Sequence, residues 1–282
     1  MNVRAIKELI RHYNLGITPR RLGQHFLVDP KVLARLGGQI EAKPDDRVLE
    51  IGAGLGALTE QLLQTGAVVY AVERDARFLR VLTDRFRNAA NLQFVRSDIL
   101  RVDLSSYAMG DKHSLLVVGN IPYSLTSPIL EFLLHQKQWV RRAILTIQKE
   151  VADRIVAHPG NKVYSSISVF VQVAFRPSIA FTIHPGAFYP QPKVTSAVLQ
   201  LDPLSEPSVP VEDEQGVLKL VRAVFSYRRK TLLNALIASG NWGKREGILP
   251  RLKHAGIDPL RRPETFTLSE FAKLYRSLSP PL

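Results

Sequence analysis

The stretch from residue 49 to 59, LEIGAGLGALT, is the feature that most restricts how this chain can fold. It follows an apolar run ending at Ile51, which is typical of a buried strand, and precedes apolar residues at helical spacing from Leu58 onward. Glycines between the two let the backbone turn tightly and let a ligand approach closely, and they are Gly52, Gly54 and Gly56. The stretch predicts a strand, a ligand-binding turn and a helix.

The glycine spacing alone leaves the ligand open. Gly52-x-Gly54-x-x-Ala57 also satisfies the dinucleotide fingerprint. A tight turn between strand and helix that binds no ligand would have a similar sequence. The neighbouring segments must therefore decide between these interpretations.

Short apolar runs alternate with helical stretches over the first half of the chain. The runs are Val48 to Ile51, Val68 to Val72, Leu92 to Val95, Leu115 to Val118 and Ala143 to Ile147. This alternation predicts an α/β fold with a doubly wound, Rossmann-like parallel sheet. In such sheets ligands bind at the carboxyl ends of the strands.

Polar residues follow three of these predicted strands. Glu73 lies 21 residues beyond Gly52, where an acid accepts hydrogen bonds from ribose hydroxyls in both nicotinamide and adenosyl cofactors. Asp98, one strand further, could accept from an adenine amine. Each residue alone could be a helix cap or a loop acid, but together with Asn120 they favour an adenosine ligand lying across the strand ends.

The segment Asn120-Ile121-Pro122-Tyr123 has the groups that a flipped-out amino base requires. Asn120 offers a carbonyl acceptor, Pro122 restricts the backbone, and Tyr123 supplies a flat stacking face. A turn with a buried tyrosine is the alternative.

The net charge of +13 is concentrated at the two ends of the 282-residue chain. Residues 1–35 contain 7 basic and 2 acidic residues, and residues 217–262 contain 11 and 2. This clustering favours a polyanionic partner bound through its phosphates, although two solvated basic faces would look the same. There is no cysteine and no apolar run long enough to span a bilayer, so we expect a cytoplasmic protein without disulfides or thiolate metal sites.

Taken together, these motifs closely resemble the ribosomal RNA adenine N6-dimethyltransferase family of the kasugamycin-sensitivity type. The resemblance covers nearly the whole chain, and the family usually carries Asn where this chain has His25. It rests on Gln24 to Leu27, Glu50 to Gly56, Glu73 to Asp75, Asp98, Asn120 to Tyr123, Phe188 to Val194 and Phe225 to Thr231.

The resemblance implies transfer of methyl groups from S-adenosylmethionine to N6 of two adjacent adenosines. These adenosines lie in the loop of the 3′-terminal hairpin of small-subunit ribosomal RNA, and the reaction accompanies 30S subunit biogenesis. The implied cofactor-binding residues are His25, Leu27, Gly52, Gly54, Glu73, Asp98 and Asn120, and the implied catalytic residues are Asn120, Pro122 and Tyr123. We expect no metal and a monomer.

Several further segments complete the prediction. Val3 to Ile10 has the spacing of a short amphipathic helix, and Asp29-Pro30 that of a helix N-terminus. Pro177 to Ile183 and Val194 to Leu201 predict a hairpin at the end of the sheet, and Phe188 in its loop could stack on the target base or belong to the core.

We expect a methyltransferase domain over residues 1–204, a linker over 205–216 rich in proline, serine and acid, and a helical RNA-binding domain over 217–282. The residues predicted to bind RNA are Arg20, Arg21, Arg228, Arg229 and Lys230. The last three are predicted to lie on one amphipathic helix running from Val221 to Leu236.

Three other functions stay open on the sequence. A nicotinamide-dependent oxidoreductase shares the glycine turn but leaves Asn120 to Tyr123 unexplained. A non-catalytic RNA-binding assembly factor explains the charge but not the cofactor residues. A large-subunit methyltransferase of the macrolide-resistance type is a near relative, and the extended C-terminal portion favours the small subunit.

Overall fold

The computed structural model describes residues 1–15, 25–206, 209 and 211–279. The strands are β1 (Phe26–Leu27), β2 (Arg47–Ile51), β3 (Val68–Glu73), β4 (Leu92–Arg96), β5 (Leu115–Asn120), β6 (Val140–Gln148), β7 (Phe175–Ile183), β8 (Phe188–Tyr189) and β9 (Ser196–Pro203). All five strands predicted for the first half of the chain are present, as β2 to β6.

Helices connect most of these strands and form the C-terminal part. They are α1 (Val3–His12), α2 (Pro30–Gln39), α3 (Ala57–Leu63), α4 (Ala76–Arg85), α5 (Ser105–Ala108), α6 (Thr126–His135), α7 (Lys149–Ile155), α8 (Ser166–Gln172), α9 (Val211–Phe225), α10 (Leu232–Ser239), α11 (Arg245–His254) and α12 (Leu268–Leu278). Among the described residues, no helix combines the length and the apolar character that crossing a membrane requires.

Seven of the described strands form one sheet in the order β4-β3-β2-β5-β6-β9-β7. The pairs β3·β4, β2·β3, β2·β5 and β5·β6 are parallel, and β9 adds antiparallel to β6. The chain runs outward from β2 to β4 and then returns to place β5 on the other side of β2. This reversal opens a crevice at the carboxyl ends of β2 and β5, and it confirms the Rossmann-like α/β fold.

The strands are apolar on both faces because helices cover the sheet on each side. Val48, Val69, Leu116 and Ile144 are each at most 1% exposed and belong to one core cluster with residues of α2 and α3. A fully buried side chain of this size contributes about 1.5 to 3 kcal/mol to the transfer free energy. This core holds the strand ends in a fixed array.

The first two helices begin at side-chain caps, as their sequences predict. The Asn2 side chain accepts a hydrogen bond from the Ala5 N–H, and Asp29 accepts from Lys31 and Val32. Pro30 occupies the first position of α2, where a missing N–H costs no hydrogen bond. In α1 the buried Ile6 packs in a cluster with residues of α4.

The described chain divides into two compact units, residues 1–152 with 178–203 and residues 153–177 with 204–282. The second unit therefore includes residues 153–177, which the sequence-based division had assigned to the methyltransferase domain. The reason is aromatic packing within this unit. The buried Tyr164 ring lies 6.1 Å from Phe225, and its hydroxyl donates to the Phe266 carbonyl at 3.2 Å.

Arg228, Arg229 and Lys230 do not lie on one long helix, contrary to the prediction. Helix α9 ends at Phe225 and α10 begins at Leu232, so the three cations occupy the turn between them. The Lys230 N–H closes this turn on the Tyr227 carbonyl at 2.8 Å. The apolar spacing continues across the break, and this continuity misled the prediction.

Candidate active site

A cavity of about 560 Å³ opens at the carboxyl ends of the parallel strands in the first unit. Its size and position are typical of a small-molecule site in an open α/β sheet. Nine of the residues predicted for the cofactor or the target base line it: His25, Leu27, Gly52, Gly54, Glu73, Asp98, Asn120, Pro122 and Tyr123.

The glycine turn forms one wall of this cavity. Gly52, Gly54 and Gly56 have φ angles of +70°, +56° and +79°, which lie in the left-handed region that other residues rarely adopt. A Cβ on Gly52 would meet no atom within 4 Å, so it would project into open space. A Cβ on Gly56 would instead lie 2.5 Å from Phe86 Cε2. The first glycine thus leaves room beside the turn, and the third permits close packing behind it.

Glu73 at the end of β3 connects this turn to the next loop. Its Oε2 accepts the Gly54 N–H at 2.9 Å, and its Oε1 accepts the Asp75 N–H at 2.8 Å. Burial raises the pKa of the Glu73 carboxyl, since the side chain has little contact with solvent, while the backbone N–H groups oppose this rise. Each carboxylate oxygen keeps a second lone pair that can accept a ligand hydroxyl.

Asp98 follows β4 at the edge of the same cavity. Its Oδ1 accepts the Leu100 N–H at 3.1 Å, and its Oδ2 lies 3.3 Å from Arg74 Nη1. The side chain is 31% exposed, so a ligand can reach the carboxylate. Both contacts fix its direction without using all of its acceptor capacity.

The Asn120 amide has a defined orientation. Its Nδ2 donates to the His25 carbonyl at 2.8 Å. Because a carbonyl oxygen can only accept, the amide nitrogen must face His25, and Oδ1 must occupy the other branch. The strand end therefore carries a carbonyl acceptor that the backbone of another segment holds in place.

His25 is connected to a distant part of the chain. Its Nδ1 lies 2.6 Å from the Pro190 carbonyl, so this nitrogen carries the proton and Nε2 is the acceptor of the neutral ring. Beside it β1 pairs antiparallel with β8, and the Val28 N–H donates to the Ala187 carbonyl at 2.8 Å. These bonds attach residues 25–28 to residues 187–190 along one side of the cavity.

Tyr123 stands next to His25 in the turn after β5. The two ring centroids are 5.7 Å apart with an interplanar angle of 31°. The Tyr123 hydroxyl and Ser196 Oγ form a 2.7 Å hydrogen bond, and burial raises the pKa of the phenol. The preceding Pro122, with φ −58°, starts the turn. The ring is thus anchored at its hydroxyl end, with one edge of the cavity beside it.

The prediction that Phe188 stacks on a target base requires correction. The side chain is 3% exposed and packs in the sheet core with Leu27 and Leu33. It is not among the residues that line the cavity in the described part of the chain. The pairing of β8 with β1 turns this ring inward, which the sequence of the loop did not reveal.

The cavity also contains residues that sequence reasoning did not assign. Glu50 of β2 lines it at 2% exposure, and the Phe26 ring lies 3.5 Å from the position of a Cβ on Gly54. Glu50 belongs to the glycine motif, so a charged residue inside an otherwise apolar strand was an available signal. Nothing comparable marks Phe26.

The residues predicted to bind RNA are separate from the cavity lining. Arg228 donates from Nη2 to the Lys162 carbonyl, whereas Arg229 and Lys230 are exposed. The Lys230 ammonium lies 5.3 Å from the centre of the Tyr227 ring. Arg20 and Arg21 lie outside the described residues.

Comparison with known proteins identifies the family. The family model described as ribosomal RNA adenine dimethylase matches residues 18–276. A protein of Geobacter metallireducens named ribosomal RNA small subunit methyltransferase A is 44% identical, covering 93% of this chain and 96% of its own length. The protein with that name from Geobacillus thermodenitrificans is 39% identical, covering 97% of this chain and 95% of its own.

Solved structures agree with this assignment. A dimethyladenosine transferase from Plasmodium falciparum superposes with a TM-score of 0.74 at 25% identity, covering 89% of this chain and 96% of its own. The 23S rRNA methyltransferase ErmE shares the fold, with a TM-score of 0.67 at 24% identity and coverage of 90% and 99%. From the family match over nearly its whole length, the chain is a member of the ribosomal RNA adenine dimethylase family.

Proposed function

We propose that this protein transfers methyl groups from S-adenosylmethionine to N6 of two adjacent adenosines in small-subunit ribosomal RNA. The observation that carries this proposal is the Asn120 amide, whose nitrogen is bound to the His25 carbonyl so that Oδ1 is an oriented acceptor at the cavity. The names of the bacterial relatives support the small subunit as substrate.

The residues around the cavity fit S-adenosylmethionine. Asp98 and Glu73 lie on adjacent strand ends, where the first would accept from the adenine amine and the second from the ribose hydroxyls. Gly52 and Gly54 leave space for the ligand beside the turn. His25 and Leu27 would close the site from the side of β1. The bound cofactor supplies an electrophilic methyl group on its sulfonium sulfur.

Asn120 and its neighbours would orient the target base. The Asn120 Oδ1 would accept a hydrogen from the N6 amine, which localises the nitrogen lone pair and favours a pyramidal nucleophile. The Tyr123 ring, anchored through Ser196, would stack on the base, and the backbone at Pro122 would limit where the base can lie. Because methylation itself acidifies the nitrogen, we infer that positioning rather than a strong base lowers the barrier.

The second compact unit is proposed to bind RNA through the turn between α9 and α10. Arg229 and Lys230 are exposed there, and residues 217–262 contain 11 of the chain's basic residues. Such a cluster attracts phosphates without reading sequence. We propose that the protein acts as a monomer on the assembling 30S subunit.

Mass mapping of methylated adenosines tests this function. The protein would be incubated with S-adenosylmethionine and either small or large ribosomal subunits from cells that lack it, with Asn120→Ala as the matched control. We expect N6,N6-dimethyladenosine at two adjacent positions of the small-subunit RNA alone. Methylation confined to large subunits would support the macrolide-resistance type, and binding to small subunits without methylation would support an assembly factor.

A further inference from the structure

Glu50 is a buried carboxyl group in the wall of the cofactor cavity that the proposed reaction does not yet use. The side chain is 2% exposed, on the next-to-last residue of β2. Its Oε2 accepts the Thr59 hydroxyl of α3 at 2.6 Å. A carboxyl in such a position costs several kcal/mol to ionise unless a cation or further donors accompany it.

The strand order places Glu50 at a definite part of the ligand. The strands run β4-β3-β2-β5, so the cavity residues follow the order Asp98, Glu73, Glu50, Asn120. If adenine lies at Asp98 and ribose at Glu73, and the methyl group must reach Asn120, the amino-acid portion of S-adenosylmethionine lies beside β2. This portion carries an ammonium group within a few bonds of the sulfonium.

We propose that Glu50 is the counter-ion of the cofactor's amino-acid ammonium group, and that it releases a proton to solvent when the cofactor binds. This inference rests on the proposed function. In the empty cavity the carboxyl is protonated below neutral pH, and the arriving cations favour the carboxylate. The balance is one proton transferred from Glu50 to the buffer for each cofactor molecule bound.

The charges around Glu50 support this linkage. Burial raises the pKa of Glu50 to about 7, the Thr59 hydroxyl and backbone N–H oppose the rise, and the nearby Glu73 carboxylate adds to it. On the flanking strands the register partners of Glu50 are Ala71 and Val118, which carry no charge. Other titratable residues on the cavity walls are His25, Arg74, Asp75 and Asp98.

Proton linkage gives a sign for the pH dependence of binding. Below the pKa of about 7 the cofactor must displace a proton, so its affinity should fall by up to about tenfold for each pH unit. Above that pKa the carboxylate is already formed, and the affinity should no longer depend on Glu50. The ammonium group of the ligand stays protonated throughout the lower range.

Calorimetry of S-adenosylmethionine binding to the full chain tests the proposal. Titrations at about pH 6 in buffers of different ionisation enthalpy count the protons exchanged. We expect release of roughly one proton per ligand in the wild type, little release in Glu50→Gln, and retained release in His25→Asn as the matched control. 5′-Methylthioadenosine, which lacks the amino-acid portion, should bind without releasing the proton.

Infrared difference spectra of the wild type give a readout that needs no variant. The carbonyl band of a protonated carboxyl should disappear when S-adenosylmethionine is added at about pH 6. Binding with equal heat in all buffers, unchanged release in Glu50→Gln, or equal release with 5′-methylthioadenosine would overturn the proposal and leave the proposed function intact. Failure of the wild type to bind S-adenosylmethionine at all would overturn both.

Discussion

Two alanine substitutions in the same turn should have opposite consequences. Gly52 and Gly56 have similar positive φ angles, +70° and +79°. A Cβ on Gly52 meets nothing within 4 Å, whereas one on Gly56 lies 2.5 Å from Phe86 Cε2 and 2.8 Å from Leu82 Cδ2. The pair therefore separates the cost of the backbone conformation from the cost of crowding.

The magnitudes follow from these two contributions. A left-handed backbone costs a non-glycine residue about 1 to 2 kcal/mol. Overpacking a filled interior adds about 1 to 3 kcal/mol. We expect Gly56→Ala to lower the free energy of unfolding by about 2 to 5 kcal/mol in total, since Phe86 and Leu82 belong to packed side chains of α4 and its C-terminus. Gly52→Ala should cost only the backbone part.

Urea unfolding of both variants, with and without S-adenosylmethionine, measures the difference. The midpoint should fall much further for Gly56→Ala at unchanged slope. Added cofactor should raise the midpoint of wild type but protect Gly52→Ala much less, because the new methyl group projects into the ligand space. Equal loss of stability in the two variants, or full cofactor protection of Gly52→Ala, would refute the reasoning.

Four further predictions concern the cofactor, the chemistry, the RNA and the second unit. Asn120→Ala should lower the single-turnover methyl-transfer rate by about 10²-fold or more while calorimetric cofactor affinity changes much less; near wild-type turnover would remove its proposed role. Asp98→Ala should weaken S-adenosylmethionine binding by about 1 to 3 kcal/mol, because the adenine amine loses its acceptor; unchanged affinity in the folded variant would exclude that hydrogen bond. Replacing residues 228–230 by alanine should leave cofactor binding intact and reduce the slope of log K for RNA against log salt by about 0.7 to 0.9 for each phosphate that the variant no longer binds, whereas an unaltered slope would identify the turn as a solvated surface. Arg261 lowers the pKa of Glu270 to about 2, so the pair should stabilise the fold above the carboxyl's ordinary value of 4.5 and lose this effect as pH falls toward 2; Glu270→Gln should therefore be less stable than wild type at neutral pH, with a gap that closes in acid, and a gap independent of pH would contradict the linkage.

The sheet and most of the cavity could be predicted because their signals are local. Val48 to Ile51 alternates with helical stretches in a pattern that few folds produce, and the carboxyl ends of neighbouring parallel strands necessarily meet. Glu73, Asp98 and Asn120 therefore lie at one cavity although they are far apart in sequence.

The misjudged features depend on tertiary packing that no local pattern records. Phe188 has the composition of a recognition loop, but its direction is set by the pairing of β8 with β1. The helix break before Leu232 interrupts an apolar spacing that continues on both sides. Tyr164 joins the C-terminal unit through aromatic partners such as Phe225, more than 50 residues away in the sequence.

The pairing of β1 with β8 also has a consequence for the order in which the protein is made. The hydrogen bond from His25 to the Pro190 carbonyl spans 165 residues, and the strands between them include the entire parallel part of the sheet. A nascent chain released only as far as β6 can form its parallel strands but has no partner for residues 25–28. The cofactor cavity should therefore acquire its last wall only after residue 190 has left the ribosome, so that ligand binding during synthesis begins late and abruptly.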